Sequence, residues 1–450
     1  MKRLFVLAAM LAGIVLLSCH DSLAAPSMEI KLPEDPTKAY ITLGILFVAA
    51  VMFFTEVVPL PITALLVPVA LSICNVIPSK TAFGYFGDPT VVLFMAMFIV
   101  GEATFITGFA DKVGNFAVRA AKGNPVKLLV YIMTAIGLLS TVLSNTGTTV
   151  VAVPMVLGIC MSARLAPGKL LMPVAFASSL GGTVTLVGTP PNGIVNSMLE
   201  QMGVQPFGFF EFGLIGIPLL VAGLVYFGLI GHRLLPDSRI LDDESLDQAV
   251  EKRRTEKMWL CIGIFGFVVF MMASEVMNLT TAAVLGACLM VITRCMTMRE
   301  AFRSVDWTTI FLFAGMLSMS AAMDKSGAAA IVANAVVSRV SDPWVLMLVC
   351  CALTAIVTNF MSNTATAALM APLALPIASA SGISPLPIVM GIAMAASSCF
   401  LTPIATPPNT IVLGPGGYKF VDYIKAGWPL QVIALLMCWL LIPMIWPFHP

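Results

Sequence analysis

The sequence predicts an all-α membrane protein with eleven transmembrane helices and two re-entrant hairpins, built as two repeats of inverted topology. Three observations predict this fold: an apolar composition, motifs that occur twice at one spacing, and two apolar runs too long for a single crossing. Of the 450 residues, 59% are hydrophobic and 10% are charged, and the mean hydropathy is +0.98. Soluble domains carry about 25% charged residues, so this chain is expected to bury its apolar surface in lipid.

The chain divides into four segments at changes of composition. Residues 1–37 begin with two basic residues and an apolar stretch, which is typical either of a signal peptide or of a first membrane helix followed by an outer linker. Repeat 1 is expected over 38–232 and repeat 2 over 258–447. The charged stretch 233–257 between them is expected to be a cytoplasmic linker.

The two halves share motifs at a nearly constant offset. The triplet Ser-Asn-Thr at 144–146 recurs at 362–364, and Thr-Pro-Pro-Asn at 189–192 recurs at 406–409. Shorter matches follow the same register, with offsets between 217 and 219. Chance could supply one such pair but not a series, so the chain is interpreted as a duplicated unit.

Two apolar runs, 127–163 and 345–379, are about 35 residues long, whereas one crossing of a ~30 Å hydrocarbon core needs about 20 residues. Each contains the Ser-Asn-Thr triplet near its middle, where the triplet breaks the apolar pattern. Both runs are interpreted as re-entrant hairpins, which enter and leave on the same face. Each repeat then makes five crossings, and because five is odd, the second repeat is expected to lie inverted.

The distribution of Lys and Arg supports this topology. If the N-terminal helix runs from inside to outside, 19 of the 24 basic residues fall on the inner face, and the outer face receives only Lys31, Lys38, Lys80, Lys325 and Arg339. An excess of basic residues on the cytoplasmic side is the usual pattern of multi-pass proteins. The sequence therefore predicts a multi-pass protein of the cell (inner) membrane, whose first hairpin opens inward and whose second opens outward.

The triplets predict a binding site near the middle of the bilayer. Inverted repeats with broken helices place such a site where the unwound tips meet. Exposed backbone in hydrocarbon costs several kcal/mol per unsatisfied group, so the breaks are expected to line a polar cavity. The half-helix after each tip presents free N–H groups and a positive dipole end, which suits an anion. The carbonyl and Asn oxygens of the tips suit a small hard cation.

The absence of charge around the motifs indicates cation coupling. Residues 128–163, 170–199 and 343–418 contain no Asp, Glu, Lys, Arg or His. A dianion held there would meet no basic side chain, and burying an uncompensated charge is prohibitive. Bound cations are therefore expected, at least two sodium ions with one site per repeat. A proton relay would need an ionisable residue within the membrane.

Other classes of function are disfavoured. The sequence has no Ser/His, paired Asp or zinc constellation of an intramembrane hydrolase, so the chain is expected to be a secondary transporter and not an enzyme. The expected partners are a small dianionic substrate and the lipid bilayer, with no nucleic acid.

The paired triplets, followed by GTPPN at 188–192 and ATPPN at 405–409, resemble the divalent anion:sodium symporter family, the sodium–dicarboxylate and sodium–sulfate carriers. The resemblance covers roughly residues 38–447. It implies a scaffold domain and an elevator-type transport domain, assembled as a homodimer. Anion-exchanger relatives carry a basic residue just after the triplet, where this chain has Gly147 and Ala365.

The resemblance also implies roles for individual residues. The residues expected to bind the substrate are Ser144, Asn145, Thr146, Ser362, Asn363, Thr364, Thr406 and Pro407. The first sodium is expected around Ser140, Ser144, Asn145 and Gly188, and the second around Thr358, Met361, Asn363 and Ala405.

Together these observations predict a sodium-coupled symporter of small divalent anions that works by alternating access. C4-dicarboxylates such as succinate are the expected substrates. Two alternatives stay open at this point: a sodium symporter of sulfate or another oxyanion, and an anion exchanger of the same superfamily.

Overall fold

The computed structural model describes residues 36–109, 112, 124–163, 165–237, 254–274, 276–337 and 342–449, and every regular element among them is helical. The predicted all-α class is therefore confirmed. The N-terminal segment 1–37, interpreted as a signal peptide or first membrane helix, lies outside the described residues except for its last two. Most of the predicted linker 233–257 also lies outside them.

The helices of the first half are α1 Thr37–Thr55, α2 Leu60–Ile73, α3 Ser79–Gly84, α4 Pro89–Ile106, α5 Pro125–Ser140, α6 Asn145–Ala163, α7 Leu171–Gly182, α8 Pro190–Gln201 and α9 Gly213–Tyr226. Helix α9 continues through a π-helical stretch, Phe227–Gly231, and a last turn, His232–Leu234. Helices α5 and α6 are separated by the short break that contains the first triplet.

The helices of the second half are α10 Met258–Ala273, α11 Leu279–Ile292, α12 Met298–Ser304, α13 Trp307–Lys325, α14 Ala328–Val337, α15 Pro343–Thr358, α16 Asn363–Ala380, α17 Pro385–Ser397, α18 Pro407–Leu413 and α19 Phe420–Ile445. Helices α10–α13 follow the order of α1–α4, and α15–α19 follow the order of α5–α9. The second triplet lies in the break between α15 and α16.

Equivalent helices of the two halves begin with the same local signals. At the start of α5, Asn124 Oδ1 accepts hydrogen bonds from two backbone N–H groups, and Asp342 Oδ1 does the same at the start of α15. Pro125 and Pro343 follow these caps. Proline suits the first helical position because the N–H group it lacks has no partner within the helix.

Among the described residues, five helical stretches are long and apolar enough to cross a membrane: Thr37–Thr55, Ser79–Ile106, Gly213–Leu234, Thr255–Ala273 and Phe420–Ile445. Helices α12 and α13, which are bent by 55°, would make a sixth as one span. Several further apolar helices, such as α2 and α5, are shorter than a full crossing. The eleven crossings therefore stay a prediction.

The helices pack in two groups. In the first, α2 lies against α13 and α4 lies against α11, with α1 and α10 on their flanks. In the second, α5 lies against α7 and α15 against α17, while α9 and α19 contact each other. Helices α8 and α16 connect the groups, since α8 also packs against α13 and α4, and α16 against α13.

For most contacts between a helix of the first half and a helix of the second half, the two equivalent helices of the opposite halves are in contact as well. The pair α2–α13 corresponds to α11–α4, and the packing of α18 on α6 and α7 corresponds to the packing of α8 on α16 and α17. This reciprocal packing places the starts of α6, α8, α16 and α18 close together. These four starts carry the duplicated motifs.

Glycines allow some of these helices to touch backbone to backbone. A Cβ atom on Gly181 of α7 would lie 2.1 Å from Gly137 O of α5, and one on Gly315 of α13 would lie 2.2 Å from Ala64 O of α2. Small residues at crossing points are typical of helices that associate within membranes. Replacing either glycine would therefore separate two helices that position the site.

Candidate functional site: a cavity between the two triplets

A cavity of about 270 Å³ lies where α6, α8, α16 and α18 begin. The structure brings all eight residues predicted to bind the substrate to its wall: Ser144, Asn145, Thr146, Ser362, Asn363, Thr364, Thr406 and Pro407. Two motifs that lie 218 residues apart in the sequence thus face one space. Apolar side chains that include Phe94 and Met97 of α4 and Leu312 of α13 complete the wall.

The cavity is surrounded by helix N-termini. Asn145 and Asn363 are the first residues of α6 and α16, and Pro190 and Pro407 are the first residues of α8 and α18. At α6 and α16 the first N–H groups have no partner within the helix, whereas α8 and α18 begin with two prolines, which carry no N–H group, so that only the helix dipole adds positive charge there. The wall can therefore attract an anion without a basic side chain.

The Thr-Pro-Pro-Asn motif closes a stretch of non-helical chain in each half. Asn192 Nδ2 donates to Thr185 O at 2.8 Å, and Asn409 Nδ2 donates to Thr402 O at 3.0 Å. Each Asn thereby holds the segment that precedes its own helix. Because the prolines start the helix directly after Thr, the motif fixes where the non-helical segment ends.

At the first triplet, oxygen atoms gather around the side-chain amide of Asn145. Its Oδ1 accepts a hydrogen bond from Ser140 Oγ at 2.8 Å and faces the carbonyl oxygens of Ser178, at 3.1 Å, and Gly188, at 3.2 Å. Carbonyl oxygens repel an amide oxygen at such distances. Either the amide turns its NH₂ group toward them, or a cation lies among the oxygens.

Glycines make room for this group of oxygens. A Cβ atom on Gly182 would lie 2.3 Å from Asn145 Oδ1. One on Gly188 would lie 2.4 Å from Gly182 O and 2.8 Å from Thr141 O, which are backbone atoms. Neither position accepts a side chain without movement of the backbone or of Asn145.

At the second triplet, Asn363 is surrounded differently. Its Oδ1 accepts hydrogen bonds from Thr358 Oγ1 at 3.1 Å and from Cys399 Sγ at 3.2 Å. Thr358 Oγ1 also lies 2.5 Å from Ala396 O, so its single proton is shared between two acceptors. Ser362 Oγ caps α16 by accepting from Ala365 N.

The residues predicted to bind sodium fall into three groups. Ser144, Asn145, Gly188 and Asn363 line the cavity. Ser140 and Thr358 lie behind the wall and donate to the two Asn side chains, as described above. Met361 and Ala405 are buried in the two segments that flank Asn363, and no hydrogen bond joins either of them to it among the described residues.

Several wall residues were not predicted from the sequence. Thr189 and Pro190 line the cavity opposite Thr406 and Pro407, and the repeat itself was the signal that could have identified them. The more consequential residue is Asp306, the cap of α13, which accepts hydrogen bonds from Thr308 N and Thr309 N at 3.1 and 3.3 Å. Among the described residues that line the cavity, Asp306 is the single charged one.

The fold resembles those of two solved transporters. The YdaH transporter of Alcanivorax borkumensis matches with a TM-score of 0.64 over 92% of this chain and 100% of its own, at 15% identity. MtrF of Neisseria gonorrhoeae matches with a TM-score of 0.59 over 93% and 98% of the two chains, also at 15% identity. At this identity the likeness concerns the fold.

Sequence relatives cover nearly the full chain. An uncharacterized transporter of Escherichia coli strain K12, YfbS, is 26% identical, over 90% of this chain and 99% of its own length. The sodium-dependent dicarboxylate transporter SdcS of Staphylococcus aureus strain MSSA476 is 24% identical, over 92% of this chain and 88% of its own length.

An apolar helical fold, together with similarity to transporters in both sequence and fold, defines the class: the protein is a multi-pass membrane transporter of the cell (inner) membrane, not an enzyme. The family model described as citrate transporter matches residues 50–382 and 318–449. These matches span most of the sequence, so the chain belongs to the citrate transporter family. The family predicted from the paired motifs is thereby confirmed.

Proposed function

We propose that the protein is a sodium-coupled symporter of small divalent anions, with C4-dicarboxylates such as succinate as its substrates. The observation that carries this proposal is the convergence of two Ser-Asn-Thr triplets and four helix N-termini on one small cavity. The sodium-dependent dicarboxylate transporter SdcS, which aligns over nearly the whole chain, supports the same assignment.

The cavity suits a small anion. Its volume of about 270 Å³ lies just below the range for drug-sized ligands, roughly 300–1,000 Å³, as suits a smaller molecule. The hydroxyl and amide groups of the two triplets can donate to oxygens at both ends of a dicarboxylate. The helix N-termini add partial positive charge where those oxygens would lie.

The charge of the wall requires cations. The described lining residues of the cavity include no basic side chain, and the single charged one, the exposed Asp306, is negative, so none of them neutralises a dianion. Burial of unpaired charge is so costly that the dianion needs positive partners. Mobile sodium ions, bound with the substrate, would supply them.

We assign the first sodium site to Ser140, Ser144, Asn145 and Gly188. Sodium is a hard cation, for which amide, hydroxyl and carbonyl oxygens are suitable ligands. The oxygens of Ser140, Ser178 and Gly188 that surround the Asn145 amide support this assignment, because they could ligate a cation. The second site is assigned by the repeat to Thr358, Met361, Asn363 and Ala405.

The proposal includes an architecture for transport. Helices α5 and α6, and α15 and α16, form the two re-entrant hairpins, within inverted repeats that cover 38–232 and 258–447. The group around α2 and α13 forms the scaffold, and the group that contains the hairpins moves against it as an elevator. The homodimer stays a prediction, which the mass of the detergent-purified protein tests.

The proposed function is tested with purified protein in liposomes. Uptake of labelled succinate should follow an inward sodium gradient and stop when choline replaces sodium. Uptake that ignores sodium but follows internal anion would identify an exchanger instead. Competition by unlabelled sulfate and citrate against succinate would then decide the substrate class.

A further inference from the structure

Most residues of the non-helical segment 398–406, between α17 and α18, are buried next to the second triplet. Backbone N–H and C=O groups in such a place need partners, because water is not available to them. Two buried side-chain amides, Asn359 and Gln431, supply partners to three backbone groups of this segment. Their exposed fractions are 1% and 8%.

Gln431 connects the segment to the last helix, α19. Its Nε2 donates to Ser398 O at 2.8 Å, and its Oε1 accepts from Phe400 N at 3.3 Å. One turn earlier, the backbone of α19 also touches the segment, since a Cβ atom on Gly427 would lie 2.0 Å from Phe400 O. The segment is therefore held against α19 at two successive turns.

Asn359 connects the same segment to the hairpin. It lies directly after Thr358, at the end of α15, and its Oδ1 accepts from Leu401 N at 2.9 Å. Its backbone carbonyl accepts from Thr402 Oγ1 at 2.5 Å. The two amides are themselves joined by a bond of 3.3 Å from Asn359 Nδ2 to Gln431 Oε1.

The first half has the backbone connection but not the amides. Thr141 occupies the place of Asn359, and its carbonyl accepts from the hydroxyl of Thr185, as that of Asn359 accepts from Thr402. The Thr141 hydroxyl instead turns back to Leu138 O at 2.8 Å. Leu220 occupies the place of Gln431, because Gly216, four residues before Leu220, packs against Thr183 O as Gly427 packs against Phe400 O.

We propose that Asn359 and Gln431 are positioning residues of the second sodium site, which they tie to α19. The inference rests on the proposed sodium coupling. Thr358, Met361 and Asn363 lie on one side of the pair, and Ala405 lies on the segment that the pair holds. The two amides fix the distance between these two sets of ligands, whereas the first site obtains its geometry from close glycine contacts.

The test replaces each amide by the residue of the first half, Asn359→Thr and Gln431→Leu, alone and together. Uptake of succinate in liposomes is measured over a range of sodium concentrations, with choline as the substitute. Each single change is expected to raise the sodium concentration for half-maximal uptake on the order of tenfold, as expected when buried backbone groups lose their partners. Maximal uptake at saturating sodium is expected to stay within about twofold, because the ligands themselves remain.

The double variant distinguishes one joint clamp from two separate structural contacts. If the two amides act as a unit, the sodium concentration for half-maximal uptake in the double variant should be close to that of either single variant. If they act independently, the fold-changes of the two single variants should multiply in the double variant. The control is Asn196→Ala, which removes another buried amide that holds a loop through Phe207 N and Phe207 O, away from the cavity wall. The control is expected to lower the melting temperature but not to change the sodium half-saturation.

A second measurement does not depend on transport. The melting temperature of the purified protein should rise with sodium chloride, and the variants should need more of the salt for the same rise. If Gln431→Leu does not fold, Asn359→Thr carries the test alone, with the same expected shift in sodium dependence. Wild-type uptake that ignores sodium would refute the proposed function. Sodium-dependent wild-type uptake with unchanged half-saturation in the variants would refute this inference alone.

Discussion

The two Ser-Asn-Thr tips have the same sequence but different surroundings. Around Asn145 the neighbouring atoms are oxygens, from Ser140, Ser178 and Gly188. Around Asn363 one neighbour is the thiol of Cys399. Duplication has thus preserved the backbone frame, while the atoms that would contact a cation differ between the halves.

This difference concerns both ligand hardness and space. Sodium prefers oxygen, so the first tip offers the harder set of ligands, and thiols prefer softer metals. The first tip also has less space for a side chain, because Gly188 has backbone atoms within 3 Å of where a Cβ atom would lie. At the equivalent position of the second half, Ala405 carries a methyl group. The first site is therefore expected to bind sodium more strongly and to tolerate substitution less.

The largest expected effect comes from removing either amide, in Asn145→Ala or Asn363→Ala. Both variants lose a predicted ligand of the substrate and of sodium and leave buried groups without a partner, at about 1–3 kcal/mol each. Succinate uptake in liposomes should fall at least about tenfold, with folded protein still present by size-exclusion chromatography. Wild-type rates in both variants would exclude the triplets from the mechanism.

The next effect tests the difference in space directly. Gly188→Ala adds a methyl group 2.4 Å from Gly182 O, so the backbone around Asn145 must shift. Sodium-dependent uptake is expected to fall nearly as far as in the amide variants. The matched change in the second half, Ala405→Gly, removes a methyl group and should cost less than about threefold, since only conformational freedom is gained. Equal losses in the two variants would contradict the asymmetry of the two tips.

Much of this fold could be predicted from the sequence, because lipid imposes strong constraints on apolar length. The two runs predicted as hairpins form helix pairs, α5–α6 and α15–α16, that break at the triplets, while their re-entry into the membrane stays a prediction. The number of crossings is harder to predict from sequence, since helices such as α2 are shorter than a bilayer and bends such as the 55° one before α13 leave no compositional signal.

The site could be predicted only where it repeats. The triplets and Thr406 were identified because each has a counterpart, and the structure brings them to one cavity. Asp306 was not assigned to the site, because it lies on a distant helix and its approach depends on how α13 packs. Cys399 and Gln431 were missed for a physical reason as well, since neither has a chemically similar partner in the other half.

A moderate effect is expected from Asp306→Asn, which removes the single charge among the described lining residues of the cavity. Asparagine still caps a helix, so α13 should remain intact. With one negative charge fewer, the succinate concentration for half-maximal uptake should fall a few-fold. The sodium concentration for half-maximal uptake should rise a few-fold. Both changes are of the size expected for a partly screened charge.

The repeat provides the control for this change. Asp88 caps α4 as Asp306 caps α13, and its Oδ1 accepts from Thr90 N at 2.9 Å, but it is not part of the cavity wall. Asp88→Asn should therefore leave both half-saturation values unchanged. If the two variants shift them equally, the effect belongs to the helix cap and not to charge in the cavity.

The smallest expected effect sharpens the comparison of ligands. Cys399→Ser replaces the thiol beside Asn363 Oδ1 by a hydroxyl, which can still donate the hydrogen bond but offers sodium a hard oxygen. Sodium half-saturation should fall by roughly twofold, a small change because the serine oxygen reaches less far than sulfur and one ligand among several is altered. The control is Cys438→Ser, a fully buried cysteine on α19 that is not part of the cavity wall. If both serine variants lower the sodium concentration for half-maximal uptake equally, or if neither does, the Cys399 thiol does not contribute to the difference between the two tips. That difference would then have to lie in the glycines and in the amides of Asn359 and Gln431.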